Sequence, residues 1–308
     1  MQSAMCKTIT LALMAGATLA VPLAQAAADK PLPPRPTVAD VVKGSPASHW
    51  RPLDPDNTLY LQTAAGRVVI ELAPGFAPKH VANIKALVRE QYFDGLAVIR
   101  SQDNYVVQWG DADEKNPKPV KNAQSALKAE FTVPLKQDKG FTRLAEHDVY
   151  APQVGHTNGF PAARDPKAGL AWMAHCYGVV GVGRDSDADS GSGTSLYAVN
   201  GHAPRHLDRN ITMVGRVVSG MPLLSTLPRG TGPLGFYEKP EQATPILSVK
   251  VAADVPEAER SRLEVMRTDS ASFQAVIKAQ RNRGGPWTKY APGHVELCNV
   301  TIPVRDQK

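Results

Sequence analysis

A chain of 308 residues has room for one large domain or two small ones. Its 43% apolar and 21% charged residues are ordinary for a globular protein, while 26 prolines and 24 glycines imply many turns and long loops. The net charge of +6 is not gathered into a basic block, and no basic helix carries interleaved aromatics, so nucleic-acid binding is a poor reading.

The first residues read as a targeting segment. Lys7 supplies a positive start, residues 9–23 are mostly apolar and small, and Ala24-Gln25-Ala26 has the small-x-small form of a cleavage site. The apolar run is short and holds Pro22, which argues against a permanent anchor. Cys6 precedes the run, so it is not the cysteine of a lipoprotein site. The expectations are export to the periplasm, cleavage near Ala26, and no stable membrane span afterwards. Cleavage leaves Cys176 and Cys298. In an oxidising compartment they can bond and tie the tail to the main domain. Two separate buried thiols is the alternative.

Residues 27–53 are rich in Pro, Ala and polar groups and read as a linker or surface arm. Organised sequence begins near Asp54. Residues 58–63 alternate and, with 67–72 after Ala64-Ala65-Gly66, predict a hairpin. Pro78 opens a helix whose Val81, Ile84, Leu87 and Val88 form one apolar stripe. The apolar run 96–99 then ends on Arg100, a polar turn follows, and a second run from Tyr105 carries Gln108 inward. A cation among strand residues is unusual, because half-burying a charge is costly.

Residues 112–177 are polar and weakly periodic, with turn signals at Asn158-Gly159 and Asp165-Pro166. They predict a long loop insertion with one strand near 130–135. Strands resume at 178–183, 196–199, 211–218 and 246–252, with a short helix at 220–227. Residues 253–308 form an extension packing on the domain, with helical stretches at 257–267 and 270–283 and a final strand at 295–304 holding Cys298. Many closely spaced strands with few helices predict a mainly β chain. Its core would be a closed antiparallel barrel over 54–252, capped by two helices.

The order of these elements resembles the cyclophilin family of peptidyl-prolyl isomerases. The family's Tyr-Asp-Gly turn, arginine-ending strand and Phe-x-x-Gln-Gly-Gly-Asp segment correspond to Tyr92-Phe93-Asp94-Gly95, Val98-Ile99-Arg100 and Tyr105-Val106-Val107-Gln108-Trp109-Gly110-Asp111. Downstream, Gly193-Thr194-Ser195-Leu196-Tyr197 stands for Gly-Ser-Gln-Phe-Phe, and His206-Leu207-Asp208-Arg209 for Trp-Leu-Asp-Gly. The resemblance covers roughly 54–111 and 178–252 and leaves the insertion and tail unexplained. The departures are specific. Tyr105 and Tyr197 add hydroxyls to pocket rings, a glutamine becomes Ser195, the tryptophan becomes His206, and a pocket histidine becomes Ile211.

The resemblance implies a cyclophilin-like barrel that isomerises X-Pro bonds in proline-containing polypeptides, with no cofactor and no metal. Rotation about the partly double C–N bond has a barrier near 18–20 kcal/mol. The twisted transition state loses that resonance and returns electron density to the prolyl nitrogen. Arg100, always charged and planar with several donors, suits its stabilisation. Tyr105, Val106, Gln108, Gly183, Arg184, Ser195, Tyr197, His206, Leu207 and Ile211 would form the substrate site. Tyr105 and Tyr197 would wall the proline slot, and Gln108 would grip the substrate backbone and hold Arg100.

Other chemistries fit less well. Asp185-Ser186-Asp187-Ala188-Asp189 lacks the glycine and glutamate of a calcium-binding EF-hand loop. His147, His156, His175, His202 and His206 show no compact ligand pair. No Gly-x-Ser-x-Gly elbow marks a serine hydrolase. Two other readings stay open, motivated by the altered pocket and by the insertion and tail. One is a catalytically weak cyclophilin-like chaperone or binding module of the cell envelope. The other is a scaffold that docks an envelope partner.

Overall fold

The computed structural model describes residues 34–307 apart from 114 and 286, so the expected targeting segment lies outside the described residues. In chain order, α1 (Val38–Gly44) opens with a Thr37–Asp40 capping box and is followed by β1 (Trp50–Pro52). β2 (Thr58–Thr63) and β3 (Gly66–Leu72) make the expected hairpin. α2 (Pro78–Arg89) starts on Pro78, whose missing N–H is no loss in a first turn. β4 (Ala97–Ser101) and β5 (Val106–Gly110) form the hairpin that carries Arg100. Next come β6 (Val133–Pro134), β7 (Phe141–Arg143), β8 (Gln153–Thr157), β9 (Phe160–Asp165) and β10 (Leu170–Met173). β11 (Val179–Val182), β12 (Leu196–Val199), β13 (Met213–Ser219), α3 (Met221–Ser225), β14 (Thr244–Pro245) and β15 (Ser248–Val251) complete the central domain. β16 (Leu263–Met266), α4 (Ala271–Arg281) and β17 (Val304–Asp306) form the tail.

Nine antiparallel strands run in the order β14-β4-β5-β12-β11-β13-β3-β2-β15. The two edge strands are consecutive pieces of one segment, divided only by Ile246 and Leu247. Ile246 donates its N–H to Leu96 at 2.8 Å and Leu247 donates to Gln62 at 2.8 Å. Both sheet edges therefore close onto that segment, and closure removes exposed edges. Inside sit Leu59, Leu61, Val68, Ile70, Val98, Trp109, Leu196 and Val214, all nearly inaccessible. Val81, Ile84, Leu87 and Val88 of α2 cover one side of that core, and Leu224 of α3 packs against it.

Residues 112–177 differ from the loop expected of them. They hold a five-stranded antiparallel sheet, ordered β6-β10-β9-β8-β7. Its core contains Val154, Phe160, Ala162, Ala163, Trp172 and Met173, together with Phe273, Val276 and Ile277 of α4. Insertion and tail thus build a second lobe. Of the expected arm at 27–53, the described residues 34–53 belong to it too. β1 pairs with β16 and β16 with β17, α1 packs its Val38, Val41 and Val42 on this core, and Trp50 is buried.

Two tail expectations are corrected. Residues 257–267 are not a helix: after one tight turn at Glu257–Glu259 they form β16. Residues 295–304 are not one strand but a turn at Leu297–Asn299 followed by β17. That turn brings Cys298 to Cys176, and the two are bonded across 122 residues of sequence. The bond stitches the tail to the segment that leads into β11.

Candidate active site

Alternation assigns two faces to β5 and β12. Val107, Trp109, Leu196 and Ala198 turn into the barrel, while Val106, Gln108, Tyr197 and Val199 turn outward. Gln108 therefore projects outward, not inward as the sequence suggested. On β4, Val98 faces the core opposite Trp109. Strict alternation would send Arg100 into that core as well. Instead the ladder slips between Val98 and Arg100, and Arg100 lies opposite Gln108. This bulge at Ile99 turns the arginine onto the outer face, a known use of bulges beside functional sites.

There the guanidinium is held at three points. Nε donates to the Leu234 carbonyl at 2.7 Å, Nη1 to Gln108 Oε1 at 3.1 Å, and Nη2 to Gln102 Oε1. The rings of Tyr105 and Phe236 lie 5.5 and 5.2 Å from its centre. Three of five N–H groups are engaged by described residues, which leaves two for a ligand. Partial burial lowers the arginine's pKa, with Tyr105 and Tyr197 opposing the shift. Leu234 supplies its carbonyl from a left-handed backbone (φ 55°), a costly conformation for leucine.

A groove of about 450 Å³ collects Arg100, Tyr105, Val106, Gln108, Gly183, Arg184, Ser195, Tyr197, Leu207 and Ile211. Gln108 Nε2 donates to Ser195 Oγ at 2.9 Å, so Ser195 still orients the glutamine although shorter than the residue expected there. Gly183 is required by close approach: a Cβ there would meet Ser195 Oγ at 2.8 Å. Arg184 donates from Nε and Nη2 to the Asn210 carbonyl, at 3.1 and 2.9 Å, and stacks near Phe131 of the insertion. The insertion thus borders the groove. His206 does not line it: the side chain is exposed on the Arg205–Leu207 turn.

Some contributors were not read from sequence. Leu234 and Phe236 come from a Gly- and Pro-rich stretch with no periodic signal. His175, one of the scattered histidines, is fully buried behind Tyr197. The Tyr197 hydroxyl donates to His175 Nε2 at 3.0 Å, and His175 Nδ1 donates to Asp208 Oδ1 at 3.0 Å. Asp208 pairs with Arg205 at 2.7 Å, and Arg205 with Asp148 of the insertion at 2.9 Å. Burial pushes the His175 pKa down against the pull of Asp208, so the ring is neutral at neutral pH and the donor directions follow. Burial would raise the Asp208 carboxyl, but His175 and Arg205 outweigh it and hold it low. Burial likewise raises the Tyr197 phenol. The hydroxyl points away from the groove and the ring forms its floor.

Residues 58–251 match the family model described as cyclophilin type peptidyl-prolyl cis-trans isomerase/CLD. The chain belongs to the cyclophilin family. It is similar to a "Probable peptidyl-prolyl cis-trans isomerase" of Brucella suis, 30% identical over 202 residues, covering 65% of this chain and 85% of that one. A peptidyl-prolyl cis-trans isomerase of Streptomyces antibioticus is 41% identical over 54 residues, 18% of this chain and 32% of that one. Among solved structures, a cyclophilin from Hirschia baltica superposes with a TM-score of 0.68 at 26% identity, covering 89% of this chain and 99% of that one. That coverage takes in most of the second lobe as well as the barrel. This cyclophilin is accordingly a peptidyl-prolyl isomerase, and no described helix is long and apolar enough to cross a membrane.

Proposed function

We propose that this cyclophilin speeds X-Pro rotation in exported, folding polypeptides of the cell envelope, and that Arg100 is the catalytic residue. The observation that carries the mechanism is the outward-turned, three-point-held guanidinium with two N–H groups to spare, set in a groove floored by Tyr197. As the imide twists, its nitrogen gains electron density, and a fixed cationic donor stabilises that state more than either planar isomer. Half-burial strengthens the interaction by lowering the local dielectric. Tyr105, Val106, Tyr197, Leu207 and Ile211 supply the apolar slot for the proline ring, and Gln108 holds both Arg100 and the substrate backbone. No nucleophile or proton transfer is involved. Isomerisation of X-Pro peptides by the wild type and by Arg100→Ala tests the mechanism.

Export rests on the charged, apolar and small-residue pattern of residues 1–26 and on the bonded Cys176–Cys298 pair, which suits an oxidising compartment. Cell fractionation with N-terminal sequencing tests it: a periplasmic protein starting near residue 27 is expected, and a cytosolic protein retaining Met1 counts against it. The rival reading is binding without turnover. In its favour, the Leu234 carbonyl already takes up Arg100 Nε. Suppression of aggregation without any acceleration of X-Pro rotation would establish that reading.

A further inference from the structure

A second cavity, of about 530 Å³, adjoins the proline groove. The two share Ile99, Asp111 and Phe236, so a polypeptide leaving the first past Phe236 enters the second directly. The same bulge that turns Arg100 outward puts Ile99 at this junction. The floor is apolar and half-buried, made by Leu96, Ala97, Ile99 and Ala243. Its far wall is the loop after α3, pinned where Tyr237 donates its N–H to the Ile99 carbonyl at 3.0 Å.

Among the described residues, the rim carries Asp111, Asp113 and Glu238 against one cation, Lys239. The acids accept from neutral groups: Asp111 from the Asp113 N–H at 3.0 Å, Asp113 from the Asn116 N–H at 3.0 Å, and Glu238 from the Thr231 hydroxyl at 3.0 Å. An apolar floor under a net negative rim matches a side chain with an aliphatic stem and a cationic head. We propose that this cavity is a substrate subsite that takes a lysine or arginine of the same polypeptide, a few residues from the proline. The inference rests on the isomerase reading of the adjoining groove and names the polypeptides that reading would favour.

The test is a peptide series with alanine flanks, in which a single Lys, or a single Glu, is moved through the positions either side of proline. At one position Lys should raise kcat/KM about two- to fivefold over Ala, the range of exposed ion pairs, and Glu should lower it. The advantage should fade in about 0.5 M salt, where exposed charges are screened. Asp113→Asn combined with Glu238→Gln neutralises the rim and should erase the Lys advantage. Lys favoured at no position, or an advantage that survives the double variant, overturns the subsite. A wild type that accelerates every peptide equally defeats this inference alone. One that accelerates none defeats the isomerase reading and the subsite with it.

Discussion

Tyr197→Phe separates what the ring does from what the hydroxyl does. The ring floors the proline groove, while the hydroxyl is buried behind it and donates to His175 Nε2 at 3.0 Å. Removing the oxygen leaves the ring in place and the fully buried His175 nitrogen without its donor. A buried acceptor left unpaired costs about 1–3 kcal/mol. In a chain of 308 residues each kcal/mol lowers Tm by about 1.5–2 °C. Urea and thermal unfolding followed by circular dichroism read that loss. The proline slot is unchanged, so kcat/KM for an X-Pro peptide should stay within a factor of about three, less than 1 kcal/mol of differential binding. A variant as stable as the wild type would refute the buried relay from Tyr197 to Asp208. A stable fold with activity lost would show that the hydroxyl, not the ring, serves the substrate.

Gly181→Ala attacks the same ring from the other side. A Cβ at Gly181 would lie 2.5 Å from the Tyr197 ring, so the ring must leave its present place in the groove. A loss of about tenfold in kcat/KM, roughly 1.4 kcal/mol, is expected, and unchanged kinetics would contradict that ring's place in the slot. His156 governs acid stability. Its buried ring has a pKa pushed down to about 3 by burial and by Arg216, against 6.5 ordinarily. Between those values the unfolded chain takes up a proton that the folded one refuses, so stability is full above about pH 6.5 and falls as pH drops. This residue contributes up to about 1.4 kcal/mol per pH unit. Urea midpoints at pH 7 and 5 should lie further apart in the wild type than in His156→Phe, where buried His175 keeps part of the dependence; the same separation in both would refute the assignment. Reducing the Cys176–Cys298 bond, which closes 122 residues of sequence, should cost about 2–5 kcal/mol. Thermal unfolding with and without reductant measures it, and coincident transitions would show that the bond constrains nothing.

The barrel was legible because its strands alternate over one buried face. Leu59 and Leu61, or Trp109 with Val107, announce their sides, and the short motifs around Arg100 and Tyr197 fix the order. The second lobe was not, because its strands carry no such pattern. β9 reads Phe-Pro-Ala-Ala-Arg-Asp and is buried at its first four residues, so neither alternation nor β-propensity marks it. β16 follows a Glu-Ala-Glu-Arg run that favours helix, yet tertiary pairing with β1 and β17 decides its state. The stretch around Cys298 has strand-like residues, but it folds as a turn that sets Cys298 against Cys176.

Within the site, residue types were readable and directions were not. Arg100 and Gln108 were identified from their motif, whereas the bulge that puts them on one outer face leaves no mark in the sequence. His206 was placed by alignment with a tryptophan, but its turn aims it at solvent. His175 and Asp208 are far apart in sequence and meet only because the insertion carries His175 behind β12.

The central claim is that the Arg100 guanidinium stabilises the twisted imide. Its most direct test is the isomerisation rate of an X-Pro peptide with wild type and Arg100→Ala, both shown folded by circular dichroism. Loss of one fixed transition-state donor predicts a fall in kcat of about 10²–10³-fold. A wild-type rate well above the uncatalysed one that survives Arg100→Ala unchanged would contradict it.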